Sequence, residues 1–220
     1  MLRAIMLTLS SLCIALALQR MPLAETTAIA FIAPTLVALF AGLVLGEKIS
    51  LFNWTALLCG FVGVLIITRP GTGLDVVGVL FAVTAAIAGA TYQLLSRLLA
   101  PTEKAITLLF YTALIGAFIF CFAAPWFWDG KIPDSMELAL LISTGITGGL
   151  GHYFFTLAFR YAPASVLAPI TYLQLIMASF LGWLIFDSIP DQFSILGMAV
   201  IVFSGLIIII GPKLRTFNRR

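Results

Sequence analysis

Six residues inside the apolar stretches of this 220-residue chain carry groups able to hold a polar solute: Tyr92, Gln93, His152, Thr171, Tyr172 and Gln174. Their shared chemistry is hydrogen bonding without formal charge, which suits recognition of a polar or amphipathic molecule. His152 is the single histidine. An imidazole there can bind a solute, carry a proton because its charge changes near neutral pH, or simply bond a backbone carbonyl exposed by nearby glycines. Gly145, Gly148, Gly149 and Gly151 run up to it. Thr171, Tyr172 and Gln174 follow Pro169, and a proline both removes an N–H and bends its helix. Freed carbonyls and neutral donors would then form one wall of a binding site. Tyr92 and Gln93 would face it. The plainer readings are polar bonding between helices and, for Gln93, a bond to Arg97 one turn on. Pro34 marks a second bend. Phe31, Phe154 and Phe155 read as packing rather than an aromatic cage.

Bond-breaking chemistry finds no support in the same residues. It would need a nucleophile paired with a base, two membrane aspartates, or spaced metal ligands. The chain has one histidine, no HExxH and no phosphate loop. No charged residue stands near the centre of an apolar stretch. An enzyme, a metal and a cofactor are therefore not expected. Cys13, Cys59 and Cys121 lie far apart and read as small apolar residues. Glu25 falls in the first turn of a helix, where the positive helix end favours it; it stays at the surface or serves an outer gate. Glu47 would pair with Lys48 or a neighbouring helix. Protons, if coupled, have His152 and Glu25 as carriers, with facilitated diffusion as the alternative.

The elements that must position these groups are membrane helices. Hydrophobic residues make up 62% of the chain and charged ones 10%, far from the roughly 25% charged of soluble proteins. Eight apolar segments follow one another at about 3–19, 23–46, 51–69, 76–99, 104–125, 136–160, 163–187 and 191–211, each near the length that spans hydrocarbon. Lipid offers backbone groups no partner and the alternation of a barrel is missing, so the fold class is an all-α, polytopic membrane protein. Alternate loops place Arg3, Lys48, Arg97, Lys104, Arg160, Lys213, Arg215, Arg219 and Arg220 on one side. Arg20, Arg69 and Lys131 share the other with Glu25, Asp75, Asp129, Asp134, Glu137, Asp187 and Asp191. Basic loops mark the cytoplasmic face, so both termini are expected there. The tail 213–220 then meets anionic lipid, not nucleic acid.

An internal echo organises the segments. Ala17, Pro22, Ile29, Phe52 and Leu65–Ile67 recur in order, at constant offset, as Ala158, Pro163, Ile170, Phe193 and Leu206–Ile208. An odd number of spans separates equivalent helices, so the copies run upside down to each other, a signature of secondary transporters. Two units follow: 1–71 with three helices and 72–212 with five. Two helices equivalent to the fourth and fifth are thus expected ahead of the first.

These residues resemble the drug/metabolite transporter superfamily, specifically its EamA-like ten-helix members. The resemblance is carried by "ALQRMPLAETTAIAFIAPTLVALFAGLVLGEKIS", "GFVGVLIITRPG", "APASVLAPITYLQL" and "GMAVIVFSGLIIII". Pro34 takes the mid-helix proline position and Gly46-Glu47 the terminal Gly-Glu. Asp187-Ser188 departs from that pattern by moving the acid one place. The resemblance implies an inner-membrane permease or exporter with a cavity between inverted halves, taking a small-molecule solute. The alternative is a non-transporting membrane subunit. A second copy or a helix-supplying partner would complete the shorter half.

Overall fold

The computed structural model describes residues 1–47, 49–71, 74–127, 130–187 and 189–217, without the side chains of 24, 182, 186 and 208–217. Lys48, Trp128, Asp129, Ser188 and the basic side chains of the tail 213–220 lie outside the described residues. Among the described residues ten helices follow in order: α1 (Leu2–Leu18), α2 (Leu23–Ala30), α3 (Ala33–Leu45), α4 (Leu51–Thr68), α5 (Val76–Leu99), α6 (Ala105–Phe127), α7 (Ser135–Tyr161), α8 (Ala164–Ile170), α9 (Leu173–Phe186) and α10 (Gln192–Phe217). Among the described residues six stretches are long and apolar enough to cross a membrane, with α2–α3 and α8–α9 each counted as one. The shorter apolar helices Leu2–Leu18 and Gln192–Ile207 complete the eight segments. The protein is a polytopic helical membrane protein.

Helix starts explain where the acids are. Asp75 caps α5 by accepting from the Gly78 N–H at 2.6 Å. Asp134 and Glu137 form a reciprocal capping box on α7, and Asp191 accepts from the Ser194 N–H at 2.8 Å at the start of α10. All three helices begin at the same end of the bundle, where a carboxylate satisfies free N–H groups and meets the positive helix end. The ion pairs Arg20–Asp75 (3.9 Å) and Arg69–Asp191 (2.5 Å) sit there too. Glu47–Arg97 and the bond from Arg160 to the Ala100 carbonyl lie at the opposite end. These members of the two charge groups therefore lie at opposite ends.

The closest helix pair is α4 on α10. A Cβ at Gly63 would fall 2.8 Å from the Gly197 carbonyl, so glycine here lets one backbone lie on the other. Ser204 Oγ donates to the Ala56 carbonyl at 2.8 Å. Gly63 and Ser204, and Ala56 and Gly197, are equivalent positions of the echo, so the same contact is made twice. Phe31 stacks on Tyr172, its equivalent 141 residues on, with ring centroids 5.7 Å apart. Around that stack Val37, Leu57, Val64, Phe159 and Ile201 form the buried core. Large rings such as Phe118, Phe122 and Trp126 point outward, as a lipid-facing surface requires.

Two of the expected continuous, proline-bent helices are in fact broken. The first breaks at Phe31–Ile32, ahead of Pro34, which sits in the first turn of α3. The second breaks at Thr171–Tyr172, two residues beyond Pro169. Pro169 is not its sole cause: Thr171 Oγ1 donates to the Ala168 carbonyl at 2.6 Å. The N–H groups of Gln174 and Leu175 turn to Thr171 and Tyr172, the tight three-residue bonds of a 3₁₀ turn.

Candidate functional site

The breaks face a common space. A cavity of about 470 Å³ lies between α1, α5, α7 and the two broken helices. Tyr92 and Gln93 from α5, His152 from α7, and Thr171 and Gln174 from the second break all line it. Ala30, Phe31 and Pro34 bring the first break to the same wall, and Leu7 and Ser10 come from α1. Among the described residues no Asp, Glu, Lys or Arg lines it. The spacing explains the set: Gln174 lies one helical turn from Thr171, so the two share a face.

Tyr172 is placed elsewhere. It is fully buried, stacked on Phe31 and lying against Gly60 of α4, with its hydroxyl 3.5 Å from the Phe31 carbonyl. One residue along a helix turns a side chain by about 100°, which carries Tyr172 off the cavity face and into the core. Phe31 packs on Tyr172 and Phe155 against Phe159, as the sequence suggests, and both also border the cavity. Phe154 does point outward.

Neither acid reaches this cavity. Glu47 Oε1 accepts from Arg97 Nε and the Ala164 N–H, both at 3.1 Å, and Oε2 accepts from the Ser165 N–H at 3.1 Å. It ties the end of α3 to the start of α8 and to α5. Arg97 is committed there and to the Phe159 carbonyl at 2.6 Å, rather than to Gln93. Glu25 lies at the opposite end, where Oε1 accepts from the Gly71 N–H at 3.1 Å. Its Oε2 and the Thr26 hydroxyl are enclosed without a hydrogen-bond partner among the described residues.

The sequence reading missed Arg3. Counted as a loop charge at a helix end, it is only 3% exposed. Its Nε donates to Ser96 Oγ at 2.7 Å, and Nη1 to the Leu108 carbonyl at 2.9 Å and Thr112 Oγ1 at 2.5 Å. Nη2 donates to Tyr92 Oη at 2.9 Å and Thr156 Oγ1 at 2.6 Å. All five N–H groups are used, on neutral oxygens from α5, α6 and α7. The guanidinium also lies over the Tyr92 ring at 4.5 Å, within cation–π range. Tyr92 Oη in turn lies 3.2 Å from His152 Nδ1, so a chain of polar contacts runs from Arg3 to the cavity wall. The only signal in the sequence was that Arg3 falls inside the first apolar segment. Its five partners, spread over three helices, become visible only when the helices pack.

No group of three or more metal-binding side chains is assembled among the described residues. Cys13 is buried, Cys59 partly so, and Cys121 exposed.

The sequence profile of the EamA-like transporter family matches residues 1–69 and 76–210. The chain belongs to the EamA-like transporter family. The S-adenosylmethionine uptake transporter of Rickettsia prowazekii (strain Madrid E) is 29% identical over 192 residues, covering 87% of this chain. The chain spans 65% of that relative's length. The pseudopaline exporter CntI of Pseudomonas aeruginosa (strain UCBPP-PA14) is 31% identical over 207 residues, covering 91% of this chain and 70% of the exporter. A solved crystal structure shares the fold with a TM-score of 0.83 at 20% identity, over 91% of this chain and 73% of the other.

Proposed function

We propose that this chain is a secondary carrier for a small polar or amphipathic metabolite, working by alternating access at the central cavity. The observation that carries the reading is a neutral cavity of about 470 Å³ bounded by two helices broken at equivalent places. Pro34 has no N–H to offer the Ala30 carbonyl, and the Gln174 N–H has left the Ile170 carbonyl for that of Thr171. Each break therefore holds backbone acceptors beside a space lined with Tyr92, Gln93, His152, Thr171 and Gln174. Broken helices at the repeat interface are where carriers hold their cargo. Residues 1–71 and 72–212 act as inverted units that rock against each other, a reading supported by the duplicated α4–α10 contact and the Phe31–Tyr172 stack.

One relative is named for uptake and another for export, which supports carriage and leaves direction open. Carriage is favoured over catalysis because the cavity offers hydrogen bonds and its hydroxyl–imidazole pair, Tyr92 with His152, is tied to the buried Arg3. We place the protein in the cell inner membrane with both termini cytoplasmic, on the strength of its basic loops.

The test is transport by the purified chain in proteoliposomes. Labelled S-adenosylmethionine is the first solute, followed by a panel of amino acids, nucleosides and vitamins, each followed in both directions. At least one should cross faster than in protein-free liposomes. His152→Ala and Gln174→Ala should each slow it by roughly tenfold at normal protein levels, the loss expected for removing a buried polar contact. If no solute moves either way, the carrier reading fails. If one moves and both variants carry it normally, the site is elsewhere.

A further inference from the structure

A buried cation stands behind the cavity wall, and its hydrogen bonds constrain the group in front of it. A guanidinium has no lone pair, so every oxygen around Arg3 must accept. Two of those hydroxyls pass their own hydrogen on: Ser96 Oγ donates to the Tyr92 carbonyl and Thr112 Oγ1 to the Leu108 carbonyl, each at 2.7 Å. Tyr92 Oη occupies the same kind of place. It accepts from Arg3 Nη2 at 2.9 Å, and the acceptor within reach of its own hydrogen is His152 Nδ1 at 3.2 Å. A buried hydroxyl that failed to donate would forfeit a hydrogen bond that nothing replaces. Nδ1 then bears the lone pair, and the hydrogen of the neutral imidazole belongs to Nε2.

We propose that Arg3 is a positioning residue: acting through Tyr92 it fixes His152 as an Nε2–H donor, so that the cavity receives the carboxylate of a solute. This rests on the carrier reading above and names the class of cargo. Among the described residues no Asp, Glu, Lys or Arg lines the cavity. The Arg3 guanidinium stands one tyrosine behind the wall and adds a positive potential there. A carboxylate gains from that charge and from the N–H donor, an amide only from the donor, and a solute with positive charge alone is repelled. Glu103 borders a smaller cavity of about 290 Å³ on the other side of Arg3. It is exposed and forms no ion pair with Arg3, so water and salt screen its opposing charge.

The lone histidine makes the test direct, since protein labelled with ¹⁵N-histidine reports a single ring. In the full chain in lipid bilayers at neutral pH, Nδ1 should be bare and Nε2 protonated, the two told apart by their couplings to the ring carbons. Tyr92→Phe keeps a ring under Arg3 and four of its five donor bonds, and should bring out the Nδ1–H form. A wild-type ring with its hydrogen on Nδ1, or identical spectra from the two proteins, overturns the positioning role. The same samples are then titrated with matched pairs, N-acetyl-leucine against N-acetyl-leucinamide and benzoate against benzamide. In wild type at least one acid should bind roughly tenfold more tightly than its amide, and the ratio should fall in Tyr92→Phe. Equal binding within the pairs, or none, overturns the carboxylate assignment, while carriage itself is decided separately by the uptake panel.

Discussion

A carboxylate at a helix start and a guanidinium at a helix end answer to the same rule: each persists where its bonds outweigh its loss of water. Asp191 answers it at the surface. Its carboxyl is held below the usual carboxylate range, first by the Ser194 N–H and hydroxyl and then by Arg69. A lowered folded value means stability that is complete above the unfolded value of 3.8 and is lost as pH falls through the folded one. The melting temperature of detergent-purified wild type should therefore exceed that of Asp191→Asn by a constant margin from about pH 7 to about pH 4. The margin should close only below that window. A margin that already shrinks near neutral pH would place its origin in another group. Neutral residues were more legible than charged ones at this scale. Tyr92, Gln93, His152, Thr171 and Gln174 stand out in apolar sequence because polar groups there need a reason. Arg3 did not stand out, because a charge at a segment end has an ordinary explanation in water.

Helices pack as closely as their smallest residues allow, and α4 and α10 have used that allowance fully. A Cβ at Gly63 would lie within 2.8 Å of both the Ile201 side chain and the Gly197 carbonyl, and a carbonyl in a helix cannot step aside. Gly63→Leu should lower stability by about 1–3 kcal/mol, the usual cost of overpacking. Gly205, on α10 with nothing within 4 Å of its added Cβ, should accept leucine with little change. Thermal unfolding in detergent compares the two, and equal losses would remove the special status of the α4–α10 contact. Glu47 sets the other inter-element bond. Glu47→Gln gives up a carboxylate that accepts from Arg97 and two N–H groups of α8, and should cost about 1.5–3 kcal/mol by the same measurement. The glycines and the Gly-Glu pair were visible in the sequence, but their partners were not. The break beyond Pro169 was hidden for a similar reason, since it depends on a threonine hydroxyl competing with the backbone.

At the scale of the whole molecule, the sequence speaks through charge and repetition. Loops alternating in sign imply two ends, and the structure gathers Arg20, Arg69, Asp75 and Asp191 at one and Glu47, Arg97 and Arg160 at the other. The echo was too weak to prove itself by identity, yet its equivalent residues touch across the centre, as Phe31 and Tyr172 do. What repetition cannot give is which end faces the cytoplasm; that rests on the basic residues alone. The orientation is testable in a variant with Cys13, Cys59 and Cys121 replaced by serine. Ile132→Cys lies in the exposed loop between α6 and α7, and Thr102→Cys in the exposed loop between α5 and α6. A membrane-impermeant maleimide applied to spheroplasts should label Ile132→Cys directly and Thr102→Cys only after permeabilisation. The reverse pattern would invert the molecule and put the Arg3 end of the bundle outside. A carboxylate-bearing solute would then meet the Arg3 end from the outer solution rather than from the cytoplasm.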